Sequence, residues 1–200
     1  MTDYFSEEYS DSRRWMSYWC QIKEVLAFKP QAVLVVGKGD GLVSEYLKLK
    51  SIKVITLDID EDLKPDVAAS VVKMPFNDRE FDAVLCAQVL EHLPYEDFNK
   101  ALLEIYRVNR SGAVISLPHF GPAIRFLLKI PFLPELKFII KLPYLQKHQF
   151  KGEHYWEIGK RGYPLRKIKA EIKKSGFLLA KDYIFFENPL HHFFILKKIK

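Results

Sequence analysis

Cysteine is nearly absent from this chain of 200 residues: only Cys20 and Cys86 occur. Neither belongs to a CxxC pair, which excludes a disulfide framework and a cysteine-rich zinc module and leaves two buried, reduced thiols. Internal repeats and low-complexity segments are missing. So is a long uninterrupted apolar run. The most apolar stretch, 120–150, is too short between its lysines and prolines to cross a bilayer as a helix. The opening MTDYFSEEYSD is acidic and aromatic rather than basic and then apolar, so it predicts no secretory signal and a cytoplasmic protein. Glycine is also scarce. Of nine glycines, three stand at alternate positions 37, 39 and 41, so a third of the supply sits in one turn.

That turn joins a strand to a helix. Val33 to Val36 form a β-branched apolar run suited to a strand covered on both faces, while Leu42, Val43, Tyr46 and Leu47 follow helical spacing. Without side chains, Gly37, Gly39 and Gly41 let the backbone bend sharply and let a ligand lie against it. A second strand, VITLDID, ends near Asp58, and 21 positions separate that aspartate from Gly37. A carboxylate at that offset suits both hydroxyls of a ribose. The bland alternative is a solvated loop aspartate, which the glycines in front disfavour. Leu42 stands where the dinucleotide fingerprint wants its third glycine, so the spacing favours a nucleoside without a bridging pyrophosphate.

From VLVVGKGDG through VITLDID, KMPFNDREFDAVLCAQVLEHLP and LLEIYRVNRSGAVISLP, residues 32–118 resemble class I S-adenosylmethionine-dependent methyltransferases, the small-molecule type with an EHL motif. The resemblance implies an α/β, Rossmann-like three-layer sandwich whose seven-stranded sheet is mostly parallel, with one antiparallel strand near the C-terminus. It implies S-adenosylmethionine as cofactor, with Gly37, Gly39 and Gly41 under its methionine part, Asp58 on its ribose and Ile59 against its adenine. Ser70, Val71 and Ala87 are expected to border it as well. Independently of the resemblance, the Lys38 ammonium can attract the cofactor's carboxylate. Two positions depart from the family's pattern. Ser70 stands where an acidic residue is usual, and Val35 stands where an Asp or Glu commonly precedes the first glycine. These departures keep a second reading open, a non-catalytic scaffold that binds a partner or membrane surface through 120–150.

Size and composition suit one domain over 1–200, with 48% hydrophobic residues for a sizeable core and 120–160 as a lid insertion. The net charge of +6 is modest, and the basic residues after Leu165 read as a solvated face. Trp15 to Phe28 is expected to form an amphipathic helix with Trp15, Trp19, Ile22 and Leu26 on its apolar stripe. Phe81 to Cys86 reads as a central strand and Phe98 to Val108 as a helix, which Ser111 and Gly112 stop before a fifth strand. Leu165 to Lys174 reads as a basic helix, followed by a terminal β-hairpin in which His191 and His192 are surface or strand positions without a carboxylate partner.

The stretch 120–150 is the least family-like. Pro122, Pro131, Pro134 and Pro143 are expected to cut it into short helical pieces. Three readings compete: a lid over the substrate, a segment lying on a membrane with Lys129, Lys137, Lys141 and Lys147 near anionic head groups, and simple packing or a dimer contact. An apolar lid favours an apolar or lipid-like small-molecule acceptor. The sequence fixes no oligomeric state.

Methyl transfer from a sulfonium asks mainly for alignment, with a base only for acceptors that must lose a proton. His92 and His119 follow the fourth and fifth strands on the edge where ligands bind, so either can be that base. For His92, a local backbone contact is the stronger reading. Gln88 can face the acceptor, and Glu91 can orient the loop below the cofactor. In GEHYWEIGKRGYP, the resemblance implies that Trp156 or His154 touches the pocket; the alternative is an aromatic anchor with Glu157 paired to Lys160 or Arg161. No metal-ligand spacing emerges. Nucleic acid is a poor candidate partner, because no NPPY-like motif, Pro-Cys nucleophile or stacking platform is present.

Overall fold

The computed structural model describes residues 6, 11–142, 146–150 and 152–198. Helix α1 (Ser12–Leu26) starts at Asp11, whose carboxylate accepts the Arg14 N–H and so satisfies one of the helix's orphan donors. After it come β1 (Ala32–Val36), α2 (Leu42–Leu49), β2 (Lys53–Asp58), β3 (Val67–Ala68), β4 (Phe81–Ala87), α3 (Tyr95–Val108) and β5 (Asn109–Pro118). The chain then forms β6 (Ala123–Leu128), β7 (Leu136–Lys141), α4 (Leu165–Lys174), β8 (Phe177–Ile184) and β9 (His191–Lys198).

Seven strands make one sheet in the order β3-β2-β1-β4-β5-β9-β8, with β9 antiparallel to both of its neighbours and the remaining pairs parallel. Strand alternation divides the core in two. Val33 and Val35 join Leu85 and Val114 under Val25 of α1 and Leu47 of α2. Leu34 and Val36 join Val84, Cys86 and Ile115 under Phe98, Leu102 and Ile105 of α3 and Ile168 and Ile172 of α4. The result is the Rossmann-like sandwich expected from the sequence. Its crossovers run opposite ways from β1 and β4, so the carboxyl ends of those two strands open a crevice.

Three local expectations are corrected. In α1 the tryptophans turn outward, each about half exposed, while Ser17, Tyr18, Gln21 and Glu24 face inward. The inner face has polar partners: the Tyr18 hydroxyl donates to Asp40 at 2.7 Å, and Glu24 accepts from Tyr183 and Lys181 at 2.8 Å each. Ser111 and Gly112 do not precede the fifth strand but lie within it. The Asn109 amide donates to the Ile105 carbonyl at the end of α3, so the chain passes directly from helix to strand.

The stretch 120–150 holds a β-hairpin rather than helical pieces. Pro122, Pro131 and Pro134 flank two proline-free six-residue runs, which pair from Ala123 opposite Lys141 to Leu128 opposite Leu136; Pro143 lies outside the described residues. Phe126, Ile140 and Phe138 are more than 40% exposed, so the hairpin shows apolar surface to solvent. Among the described residues, no helix is long and apolar enough to cross a membrane.

Candidate functional site

The crevice is a cleft of about 340 Å³ walled by the glycine turn, the ends of β2 and β4, and the inner face of α1. Gly37, Lys38, Gly39, Asp58, Ile59, Ala87, Gln88 and His92 all line it. Gly37 has a φ of +81°, and a Cβ there would lie 2.3 Å from Val89, so only glycine allows this turn beneath the cleft. Asp58 shapes the turn from the opposite side. Its carboxylate accepts the Lys38 backbone N–H at 2.7 Å and the Asp60 N–H at 3.1 Å. The Lys38 ammonium is engaged elsewhere, donating to the carbonyls of Leu63 and Lys64.

Three expected neighbours are not brought to the cleft wall. Val71 is packed in the core, and the Ser70 hydroxyl accepts the Val72 N–H at 3.4 Å. Gly41 lies at the start of α2, just outside the wall. Sequence reading missed Arg14, Tyr18 and Gln21, which α1 presents to the cleft. Their three- and four-residue spacing was visible, but the tryptophan stripe on the other face was the louder signal.

A second pocket of about 410 Å³ opens beside the first, and the two share Arg14, Gln88 and His92. Its other walls include Pro118 at the end of β5 and His119 after it, Glu153, His154 and Glu157, and His191. Gln88 sits where the cavities meet, in a left-handed backbone conformation with φ of +55°. That geometry is costly for a non-glycine residue, and Ser116 holds it by accepting from the Gln88 backbone N–H and side-chain amide at 3.0 and 3.1 Å.

His119 is buried, with its Nδ1 3.0 Å from Nδ1 of His192. Nε2 of His192 lies 3.0 Å from the Asp182 carboxylate, which Lys169 also approaches at 2.9 Å. The partners fix the tautomers: if His192 donates from Nε2 to the carboxylate, its Nδ1 accepts, so His119 donates from Nδ1 and keeps its Nε2 lone pair free. The reading of His192 as a surface position without a carboxylate partner is therefore corrected. Asp182 was missed because it comes from β8, and only the β8–β9 pairing brings it to His192. His191 likewise faces inward, with Nδ1 2.6 Å from the Ser17 hydroxyl.

Burial lowers His119 to about 3 and His191 and His192 to about 4. Above the unfolded value near 6.5 these rings are neutral in both states. As pH falls below it, the unfolded chain takes up protons that the folded chain refuses, so stability is lost between about pH 6.5 and 4. At pH 5 the cost is on the order of 1–2 kcal/mol per ring, less for the linked pair than for two independent rings. Glu91, pushed up to about 7 by burial, gains stability over the same range and offsets part of this loss, so the melting temperature is expected to drop by only a few degrees between pH 7 and pH 5; a rise across that range would contradict the burial of these histidines.

Beside His92, Glu91 is fully buried and pushed up to about 7 by that burial. Neither of its carboxylate oxygens has a hydrogen-bond partner among the described residues. His154 lies close by, with Nδ1 3.1 Å from Glu157, while Nδ1 of His92 lies 3.1 Å from the Glu153 carbonyl. The two rings meet edge to face at 5.0 Å. Trp156 does not reach the pocket. It is buried against Tyr95 and Phe98, and its indole donates to the Leu93 carbonyl at 3.1 Å, so it anchors the loop that carries His154. Glu157 pairs with Lys160 at 3.2 Å, as the anchor alternative expected.

A family model described as a methyltransferase domain matches residues 34–117. An uncharacterised protein of Methanocaldococcus jannaschii is 38% identical over 82 residues, an alignment spanning 38% of this chain and 35% of that protein. The chain thus spans about a third of the curated relative it matches. Among solved structures, a SAM-dependent methyltransferase from Archaeoglobus fulgidus superposes with a TM-score of 0.67 at 20% identity, covering 97% of this chain and 98% of that one. The 1,6-didemethyltoxoflavin-N1-methyltransferase of Burkholderia thailandensis, with 1,6-didemethyltoxoflavin and S-adenosylhomocysteine bound, gives 0.64 at 14% identity over 92% and 79% of the two chains. Magnesium protoporphyrin IX methyltransferase of Synechocystis, with bound S-adenosylhomocysteine, gives 0.63 at 13% over 94% and 84%. At these identities the structural likeness is one of fold.

Proposed function

We infer, for a chain that carries a class I S-adenosylmethionine-dependent methyltransferase domain, that it transfers the methyl group of S-adenosylmethionine to a small-molecule acceptor held in the second pocket. One observation carries this reading: the glycine-floored cleft and the histidine-lined pocket share Gln88 and His92, so a donor in one faces an acceptor in the other. In-line transfer needs that adjacency more than it needs chemistry from the protein.

In this reading the turn 37–41 underlies the methionine part of the cofactor, Asp58 receives the ribose hydroxyls, and Ile59 and Ala87 flank the adenine side. His119 is the proton acceptor. Its free Nε2 takes a hydrogen bond from an acceptor O–H or N–H, while His192 and Asp182 hold its orientation from behind. The hairpin of β6 and β7, which follows the pocket residue Phe120, supplies an apolar surface along which a hydrophobic or lipid-linked acceptor can lie.

Calorimetric titration of the purified chain with S-adenosylhomocysteine tests the donor site, with NAD as control. Micromolar binding of the first alone is expected; no binding in a folded sample would favour the partner-binding scaffold instead. His119→Ala is expected to leave that affinity unchanged while lowering turnover of a hydroxylated acceptor about 100-fold. Undiminished turnover would remove His119 from the reaction.

A further inference from the structure

We propose that Glu91, His92 and His154 bind a divalent transition-metal ion, Zn²⁺ in type, on the wall of the second pocket. One carboxylate oxygen and one ring nitrogen from each histidine lie within 4.8 Å of one another. Ligands around a zinc ion at ~2.1 Å stand about 3.4 Å apart, so the three side chains close by roughly 1 Å to take it up.

Two independent features support the site. The first is the Glu91 carboxylate, fully buried and without a partner for either oxygen among the described residues. A buried carboxylate in that position is satisfied by a proton or by a cation, and two imidazoles, His92 and His154, stand beside it. The second lies behind the histidines. Nδ1 of His154 is held by the Glu157 carboxylate and Nδ1 of His92 by the Glu153 carbonyl, both at 3.1 Å. With a proton on each Nδ1, the Nε2 lone pairs are free, and a carboxylate or carbonyl behind an imidazole is the usual support of a metal ligand. Glu157 is in turn fixed by Lys160, so the support is itself anchored.

The donor set selects the ion. Two imidazoles and one carboxylate suit zinc and its first-row neighbours, whereas magnesium and calcium favour oxygen throughout. Three protein ligands leave a coordination position open to the pocket. The ion's role rests on the methyl-transfer reading; its binding does not. An oxygen acceptor in the open position loses its proton more readily. The O–H bond breaks with its proton going to His119 Nε2, the oxygen's electron pair forms the O–CH₃ bond, and the CH₃–S bond breaks with its pair left on sulfur as the sulfonium becomes a neutral thioether.

Calorimetry of the chelator-treated full chain with Zn²⁺ should show about one ion bound at micromolar Kd or tighter, and Co²⁺ in its place should give a visible ligand-field band. Glu91→Gln, which preserves volume, and His154→Ala should each weaken Zn²⁺ binding about 100-fold or more, with thermal melts confirming a folded chain. Glu45→Gln, at a carboxylate on α2 that pairs with Lys48 and belongs to no part of the cluster, should leave binding unchanged. No binding by the parent chain, equal binding by the first two variants, or a loss that follows Glu45→Gln overturns the site. Titration with S-adenosylhomocysteine in the same samples reports the donor cleft separately, so failure of the metal site and failure of methyl transfer are distinguishable.

Discussion

Asp58→Ala is expected to weaken S-adenosylhomocysteine binding about 100-fold, or about 2.7 kcal/mol, while the chain stays folded. Asp58 sits at the end of β2, partly exposed to the cleft, and no packing depends on it. In the proposed site its removal costs in two ways: a bound ribose would lose a charged acceptor, and the Lys38 and Asp60 N–H groups lose theirs. Asp58→Asn separates the two effects. The amide oxygen can still accept the Lys38 N–H, so the turn keeps its shape while the charge disappears. Weak binding by both variants, measured by calorimetry, supports a direct contact with the cofactor. Parent-like affinity of the asparagine variant would reduce Asp58 to a support for the turn, and parent-like affinity of both would end the ribose assignment.

Gly112→Ala is expected to destabilise the fold by about 3 kcal/mol, the top of the usual range for overpacking and a large share of the ~5–15 kcal/mol available to a domain. Gly112 lies in β5 opposite Lys197 of β9, and a Cβ there would stand 2.0 Å from the Leu196 carbonyl oxygen and 2.8 Å from the Phe28 ring. The ring can move. The carbonyl cannot move without breaking the β5–β9 pairing, the same pairing that brings His192 to His119. A melting temperature about 6–12 °C below the parent's is therefore expected. A shift of less than 2 °C would mean that the strands are not packed as described.

The glycine-floored cleft was legible in the sequence because it is local. A β-branched run, three glycines and an aspartate at the next strand's end lie within about thirty residues, and each announces its own conformation. The histidine-lined pocket was not legible, because it is assembled by register. His119 follows β5, His192 opens β9 and Asp182 stands on β8; no spacing rule connects them before the strands are paired. Glu91 and His154 meet only because Trp156, read as a pocket residue, is buried and holds its loop against α3. The hairpin of β6 and β7 was mistaken for helical pieces because prolines break helices as readily as they bound strands. In α1, hydrophobicity pointed the wrong way: a polar face with partners outcompeted two tryptophans for the interior.

The late position of β9 also sets an order of assembly. At roughly 5–20 residues per second, a ribosome that has made the cleft residues up to His92 needs about 5–20 s more to reach His191. During that interval β5 has one neighbour, β4, and its other edge carries unpaired backbone groups of the kind that recruit foreign strands. The nascent molecule therefore acquires its glycine-floored cleft while the histidine-lined wall of the second pocket is still unmade, and the stage most vulnerable to misassociation is the wait for the strand that completes both the wall and the sheet.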